Sequence, residues 1–203
     1  IAECLVGSEM CIRDRLKNGD LVLIDAGCEF EDYASDITRT FPVNGKFSDE
    51  QAAIYDIVLK ALKEAIDVTQ AGTPYNKTNE TTIRVITEGL VELGLLKGDI
   101  NDLIKAEAHR EFYMHGAGHW LGLDVHDVGD YKIDGEWRIY EPGMVVTIEP
   151  GIYISPKNKK VDTKWRGIGV RIEDDIVITK TGNINLTSKV PKERNEIEKM
   201  MAK

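Results

Sequence analysis

The sequence predicts an α+β domain, built on a curved antiparallel sheet whose two halves echo each other, with helices packed on its outer face. Three observations lead there. Two short apolar runs, Leu21–Ala26 (LVLIDA) and Met144–Ile148 (MVVTI), each carry the chain to an acid, Asp25 in one case and Glu149 in the other. Each run is followed by a glycine-containing turn and a second strand-like segment that bears another acid and an arginine: Asp36 with Arg39, then Glu173 with Arg171. Between the halves lie segments whose apolar residues recur at helical spacing. The echo carries little sequence identity, but it fits a pseudo-two-fold sheet with the acids converging at its centre.

In chain order, Asn18-Gly19-Asp20 is a turn signal and Leu21–Ala26 reads as a buried strand. Tyr33–Phe41 (YASDITRTF) reads as its partner, ended by Pro42 and Asn44-Gly45. An antiparallel pairing there sets Asp25 beside Asp36. Two such carboxylates repel unless a metal lies between them or Arg39 neutralises one. Ser48 to Gln70 is a helix opened by a Ser48/Gln51 capping box, with Ile54, Ile57, Val58, Ala61, Leu62, Ala65 and Ile66 in period and Gly72 as its stop. A second helix covers about Thr78–Leu93 and a third about Ile100–His109, with His109 among charges and therefore expected in solvent. Val128–Glu141 is expected as a polar loop, Ile152–Ile154 as a continuation of the strand before it, and Ser155–Arg166 as an exposed lysine-rich connection. Gly167–Thr179 reads as a strand, and Pro191–Lys203 as a short charged closing helix.

The chemistry concentrates in Met114–Asp127, MHGAGHWLGLDVHD, which holds three of the four histidines: His115, His119 and His126. Glycines at 116, 118 and 122 allow close backbone approach, and Leu121, Leu123 and Val125 alternate as in a strand. One histidine in such a place is commonly structural; three point to ligation and proton transfer. Four carboxylates and an imidazole form an oxygen-rich ligand set that suits two ions of Mn²⁺, with Co²⁺ or Zn²⁺ as alternatives. Paired ions of that kind activate water near neutral pH and polarise a carbonyl, and a nearby glutamate can take and return the proton.

The bulk composition narrows the partners. A net charge of −9 argues against nucleic acid and anionic membranes, and no apolar run approaches transmembrane length. Cys4, Cys11 and Cys28 are sparse, odd in number and without zinc spacing, which fits a reducing, cytoplasmic compartment. The chain opens on Ile1, and Leu5–Arg15 (LVGSEMCIRDR) resembles the in-frame translation of a transposon-type sequencing adapter. Residues 1–15 are therefore expected to be non-native, and residues 16–203 to be a catalytic domain whose N-terminal part is missing.

The stretches DAGCEFEDYASDITRTFPVNGKF, HGAGHWLGLDVHDVG, EPGMVVTIEPGIY and GIGVRIEDDIVIT resemble, in order, the catalytic domain of the Xaa-Pro aminopeptidases of the pita-bread metallopeptidase superfamily. The resemblance implies a pita-bread fold and a dinuclear centre held by Asp25, Asp36, His119, Glu149 and Glu173. It further implies proton transfer by Glu149, substrate contacts from His115 and His126, and support of the metal-binding carboxylates by Tyr153 and Arg171. The implied substrates are peptides with proline in second place, and the full-length protein is implied to be a homo-oligomer. Two departures stand out. The family carries a catalytic histidine just upstream of the Asp25 strand, and no histidine precedes His109 here. The family's N-terminal domain is also absent, so the polypeptide as written is expected to be a weak enzyme or an inactive one. A prolidase acting on Xaa-Pro dipeptides is the alternative within the same chemistry. A metal-free binding module of the same fold is the alternative outside it, disfavoured because all five ligand positions are filled.

Overall fold

The computed structural model describes residues 15–202, so the expectation for residues 1–15, Cys4 and Cys11 included, lies outside it but for Arg15. In the first half, β1 (Leu21–Ala26) pairs antiparallel with β4 (Ile37–Pro42), setting Asp25 opposite Thr38. The strand expected over Tyr33–Phe41 is broken. A tight hairpin of β2 (Glu29–Phe30) and β3 (Tyr33–Ala34) turns through Glu31 and Asp32, both at positive φ, as a right-twisted two-residue turn requires. Ser35 then hydrogen-bonds back to Cys28, and Asp36 falls in the gap before β4. β1 is also less buried than its apolar run implied: Leu21 to Leu23 are half-buried and Ile24 is 47% exposed. Among the described residues β1 pairs on one edge alone.

The helices follow the sequence closely. α1 (Asp49–Val68) opens on the capping box: Ser48 Oγ accepts from the Gln51 amide, and the Gln51 side chain accepts from the Ser48 amide. Its buried face carries Ile54, Tyr55, Val58, Leu62 and Ala65 into the core. At about 1.5–3 kcal/mol for each large apolar side chain buried, that face, rather than helix propensity, holds α1 in place. α2 (Asn76–Glu92) packs on α1 through Val85, Ile86 and Leu90, and Gly89 permits the close crossing, since a Cβ there would run into Ile57. α3 (Ile100–Lys105) stops early because Glu107 takes the left-handed conformation, and a 3₁₀ turn follows at Ala108–Glu111. His109, expected in solvent, is instead buried in that turn, near Tyr113.

The loop expected over Val128–Glu141 contains a small hairpin, β5 (Lys132–Ile133) and β6 (Glu136–Trp137), closed by Asp134-Gly135 at positive φ. Its aromatic residues give it a seat: Trp137 stacks on Tyr75, and Tyr140 is fully buried. The second half supplies β7 (Val145–Ile148), β8 (Gly151–Tyr153), β9 (Gly169–Arg171), β10 (Asp174–Thr179) and β11 (Gly182–Asn185). β10 lies between β7 and β11, and β8 pairs with β9, all antiparallel. The connection from β8 to β9 is not uniformly exposed, because Val161 and Trp165 turn in to the core while the lysines stay out. α4 (Arg194–Met201) closes the chain on Ile197.

The halves are joined by hydrogen bonds between β4 and the β9–β10 segment. Thr38 O accepts from the Glu173 amide at 3.1 Å, and the Thr40 hydroxyl bridges the Arg171 main chain. Glu149-Pro150 interrupts β7 and β8, where Pro150 has no amide to donate, and Ile172-Glu173 interrupts β9 and β10. Asp36, Glu149 and Glu173 therefore sit in gaps between strands, while Asp25 lies within β1.

Candidate metal centre

The histidine stretch is strand-like for half its length. Leu121 N donates to Val145 O, Thr147 N to His119 O, and Glu149 N to Ala117 O, an antiparallel ladder alongside β7. Gly118 makes it possible, since a Cβ there would collide with the Thr147 carbonyl. The alternation ends at Leu121. Leu123 and Val125 are exposed, and the chain turns back at Gly122, which lies tight against the Asp127 carboxylate.

This ladder delivers His119 to the acids. Its Nδ1 lies 3.0 Å from the Trp120 carbonyl, which can only accept, so Nδ1 carries a hydrogen and Nε2 faces inward. Nε2 is 3.5 Å from Asp36 Oδ2 and 3.8 Å from Glu149 Oε1. Asp36, His119 and Glu173 place ligand atoms within 4.8 Å of one another. Asp25, exposed at the edge of the cluster, receives Arg171 Nη2 on Oδ2. Arg39 does not neutralise either hairpin acid, because it pairs with the buried Asp174 at 2.7 Å.

The electrostatics are those of an acid cluster in need of cations. Burial, reinforced by Glu149 and Asp36, pushes Glu173 up to about 9. Burial likewise raises Glu149 to about 7, with His119 and Arg171 opposing and Asp36 and Asp25 adding to it. Burial raises Asp25 too; it would raise Asp36, but hydrogen bonds from His119 and Asp25 outweigh it there. Burial works to lower His119, yet Asp36, the Trp120 carbonyl and the glutamates carry it to about 9. A divalent ion answers all of these strains. The donor set fits one: the buried carboxyls of Asp36 and Glu173 and the half-buried one of Glu149, with an imidazole whose other nitrogen is anchored to a backbone carbonyl, the usual support of a metal-ligating histidine.

His115 and Tyr153 stand beside Glu149. His115 Nδ1 donates to Gly116 O at 2.8 Å, so Nε2, 2.8 Å from the Tyr153 hydroxyl, accepts from it. Burial lowers His115, which keeps the ring neutral and this tautomer in place. Arg171 Nη1 reaches the same hydroxyl at 3.4 Å. His126 is exposed at the rim, edge-on to His119 with ring centroids 4.3 Å apart. All nine residues singled out in the sequence thus fall in one region. Thr38 and Asp175 were missed. The Thr38 hydroxyl meets Glu173 Oε2 at 2.6 Å, and Asp175 Oδ2 accepts from the Asp36 amide. The alternation Asp36-Thr38-Thr40 was the available signal for Thr38, since it sets all three on one face.

The sequence model of metallopeptidase family M24 matches residues 4–180. The chain is 58% identical over 201 residues to the Xaa-Pro aminopeptidase of Haemophilus influenzae, covering 96% of this chain and 46% of that protein. It is 58% identical over 186 residues to the Xaa-Pro aminopeptidase of Escherichia coli, covering 92% and 42%. The solved aminopeptidase PepP of Pseudomonas aeruginosa superposes with a TM-score of 0.92 at 61% identity, over 93% of this chain and 43% of that one. This chain shares the pita-bread fold of those aminopeptidases and spans less than half the length of the curated relatives it matches.

Proposed function

This chain belongs to metallopeptidase family M24, and on that premise we propose that it is the metal-binding catalytic part of an aminopeptidase that releases an N-terminal residue from a following proline. Family membership implies divalent metal ions. The observation that carries the reading is the convergence of Asp36, His119 and Glu173 in a chain so similar to Xaa-Pro aminopeptidases. We assign Asp25, Asp36, His119, Glu149 and Glu173 as ligands, and two Mn²⁺ ions as the occupants, because the set is oxygen-rich; Co²⁺ and Zn²⁺ are the alternatives. Bound there, such ions supply Lewis acidity that polarises a peptide carbonyl and acidifies water.

The chain's own residues do the rest. Glu149, beside His119 and His115, takes a proton and returns it to the departing amine nitrogen of proline. His115, neutral and locked by Gly116 and Tyr153, orients the substrate next to Glu149, and its Nδ1 lies 3.8 Å from Glu149 Oε2. Arg171 holds Asp25 and Tyr153 together from below, and the exposed His126 meets the peptide at the rim. A cytoplasmic location is part of the proposal, supported by the exposed free thiol of Cys28.

The test is release of the first residue from an Xaa-Pro-Xaa tripeptide by Mn²⁺-loaded protein, beside an Xaa-Ala-Xaa tripeptide and an Xaa-Pro dipeptide. The chain is assayed alone and joined to the additional length of the Haemophilus influenzae relative. The longer protein should cleave the Xaa-Pro tripeptide about 10²–10⁴ times faster than the chain alone, the range for one positioned acid–base group. Cleavage confined to the dipeptide makes it a prolidase. No cleavage of any peptide by either form, with metal bound, overturns the reading.

A further inference from the structure

We propose that Thr38 is a positioning residue of the metal centre, its hydroxyl holding the Glu173 carboxylate in the orientation that faces Asp36 and His119. The inference rests on the metal-centre reading above. Thr38 is fully buried on β4, and its hydroxyl has one hydrogen to give. Arg171 Nε lies 3.1 Å from Oγ1, and a guanidinium only donates, so Oγ1 accepts there. The hydroxyl meets Glu173 Oε2 at 2.6 Å, and a Glu173 that ligates a metal is ionised and can only accept, so the hydroxyl hydrogen goes to it.

The main chain repeats the connection. Thr38 O accepts from the Glu173 amide at 3.1 Å and from Arg39 Nη1 at 2.9 Å, and the same Nη1 reaches Glu173 O at 2.6 Å. Glu173 is thus referenced to Thr38 through both backbone and side chain. The relay also runs the other way. Arg171 Nη2 holds Asp25, which stands opposite Thr38 in the β1–β4 register. One threonine therefore sets the spacing between acids contributed by separate strand pairs. Its β-branch limits χ1, so the hydroxyl does not swing away. Thr40, two residues on along β4, directs its hydroxyl to the Arg171 main chain and provides an internal control.

The experiment titrates Mn²⁺ into the chain calorimetrically and reads Co²⁺ visible absorption as a report of ligand geometry. Thr38→Val keeps the shape and removes the hydroxyl; it should weaken at least one ion about 10–100-fold, the usual effect of losing a partner of a metal ligand, and alter the Co²⁺ spectrum. Thr38→Ser should stay close to wild type, and Thr40→Val should bind metal normally even where it melts lower. Wild-type affinity and spectrum in Thr38→Val, or a serine variant as weak as the valine one, overturns the assignment. Should Thr38→Val not fold, Thr38→Ala is compared with Thr38→Ser, and equal affinities overturn it. A wild-type chain that binds none of Mn²⁺, Co²⁺ or Zn²⁺ overturns the metal-centre reading, and this inference with it.

Discussion

His115 and His119 are oriented by the same device, a ring Nδ1–H spent on a neighbouring backbone carbonyl. That leaves each Nε2 to be defined by what it meets: a tyrosine hydroxyl in one case, a pair of carboxylates in the other. The acids were legible in the sequence because an aspartate or glutamate closing an apolar run needs a cation. Thr38 was not legible in that way, since a threonine in a strand is at home without any function. His109 misled for the converse reason. Its charged neighbours in sequence point outward, while a break at Glu107 turns the ring inward. Asp36 is the acid closest to His119 Nε2, so Asp36→Ala should remove at least one of two bound ions. Elemental analysis after dialysis against Mn²⁺ measures this, and an unchanged stoichiometry would remove Asp36 from the ligand set.

The elements show why periodicity reads helices better than this kind of sheet. α1 and α2 are continuous, so their apolar spacing and the Ser48/Gln51 box mark them within a residue or two. The strands are short pieces separated by functional residues, and a pattern of period two passes straight over the break at Asp36, Glu149 or Glu173. The histidine segment pairs with β7 only as far as Leu121, a limit set by tertiary contact and invisible in the alternation of Leu121, Leu123 and Val125. Its attachment depends on Gly118, where a Cβ has no room against the Thr147 carbonyl. Gly118→Ala should therefore cost about 1–3 kcal/mol of stability, as overpacking does, and weaken metal binding by displacing His119. Urea unfolding in chelator, paired with a Mn²⁺ titration, checks both parts. A variant as stable as wild type would mean that the segment is not pinned there.

For the molecule as a whole, the acid cluster makes stability conditional on its counter-ions. A metal that binds only the folded chain adds about 2.7 kcal/mol at a hundredfold excess over Kd. Chelation should lower the melting midpoint accordingly. The metal-free chain should also respond to pH in a defined direction. Glu173 and Glu149 are raised from 4.5 to about 9 and about 7, and His119 from 6.5 to about 9. Folding favours the protonated form of each, so their contribution is complete below the unfolded values and is lost as pH climbs from about 4.5 through 9. Melting scans in chelator at pH 5, 7 and 9 should show midpoints falling in that order, with added Mn²⁺ closing the gap most at the highest pH. A metal-free midpoint that rises over that span would contradict the clustering of acids. The placement of those acids has a further meaning for lineage. Asp36, Glu149 and Glu173 fall in the gaps between strands, and the rungs at His119, Glu149 and Glu173 run through main-chain atoms alone, so exchanging any of these side chains unpairs no rung of the sheet. A descendant can shed its chemistry and inherit the architecture intact, which leaves the same scaffold open to new employment.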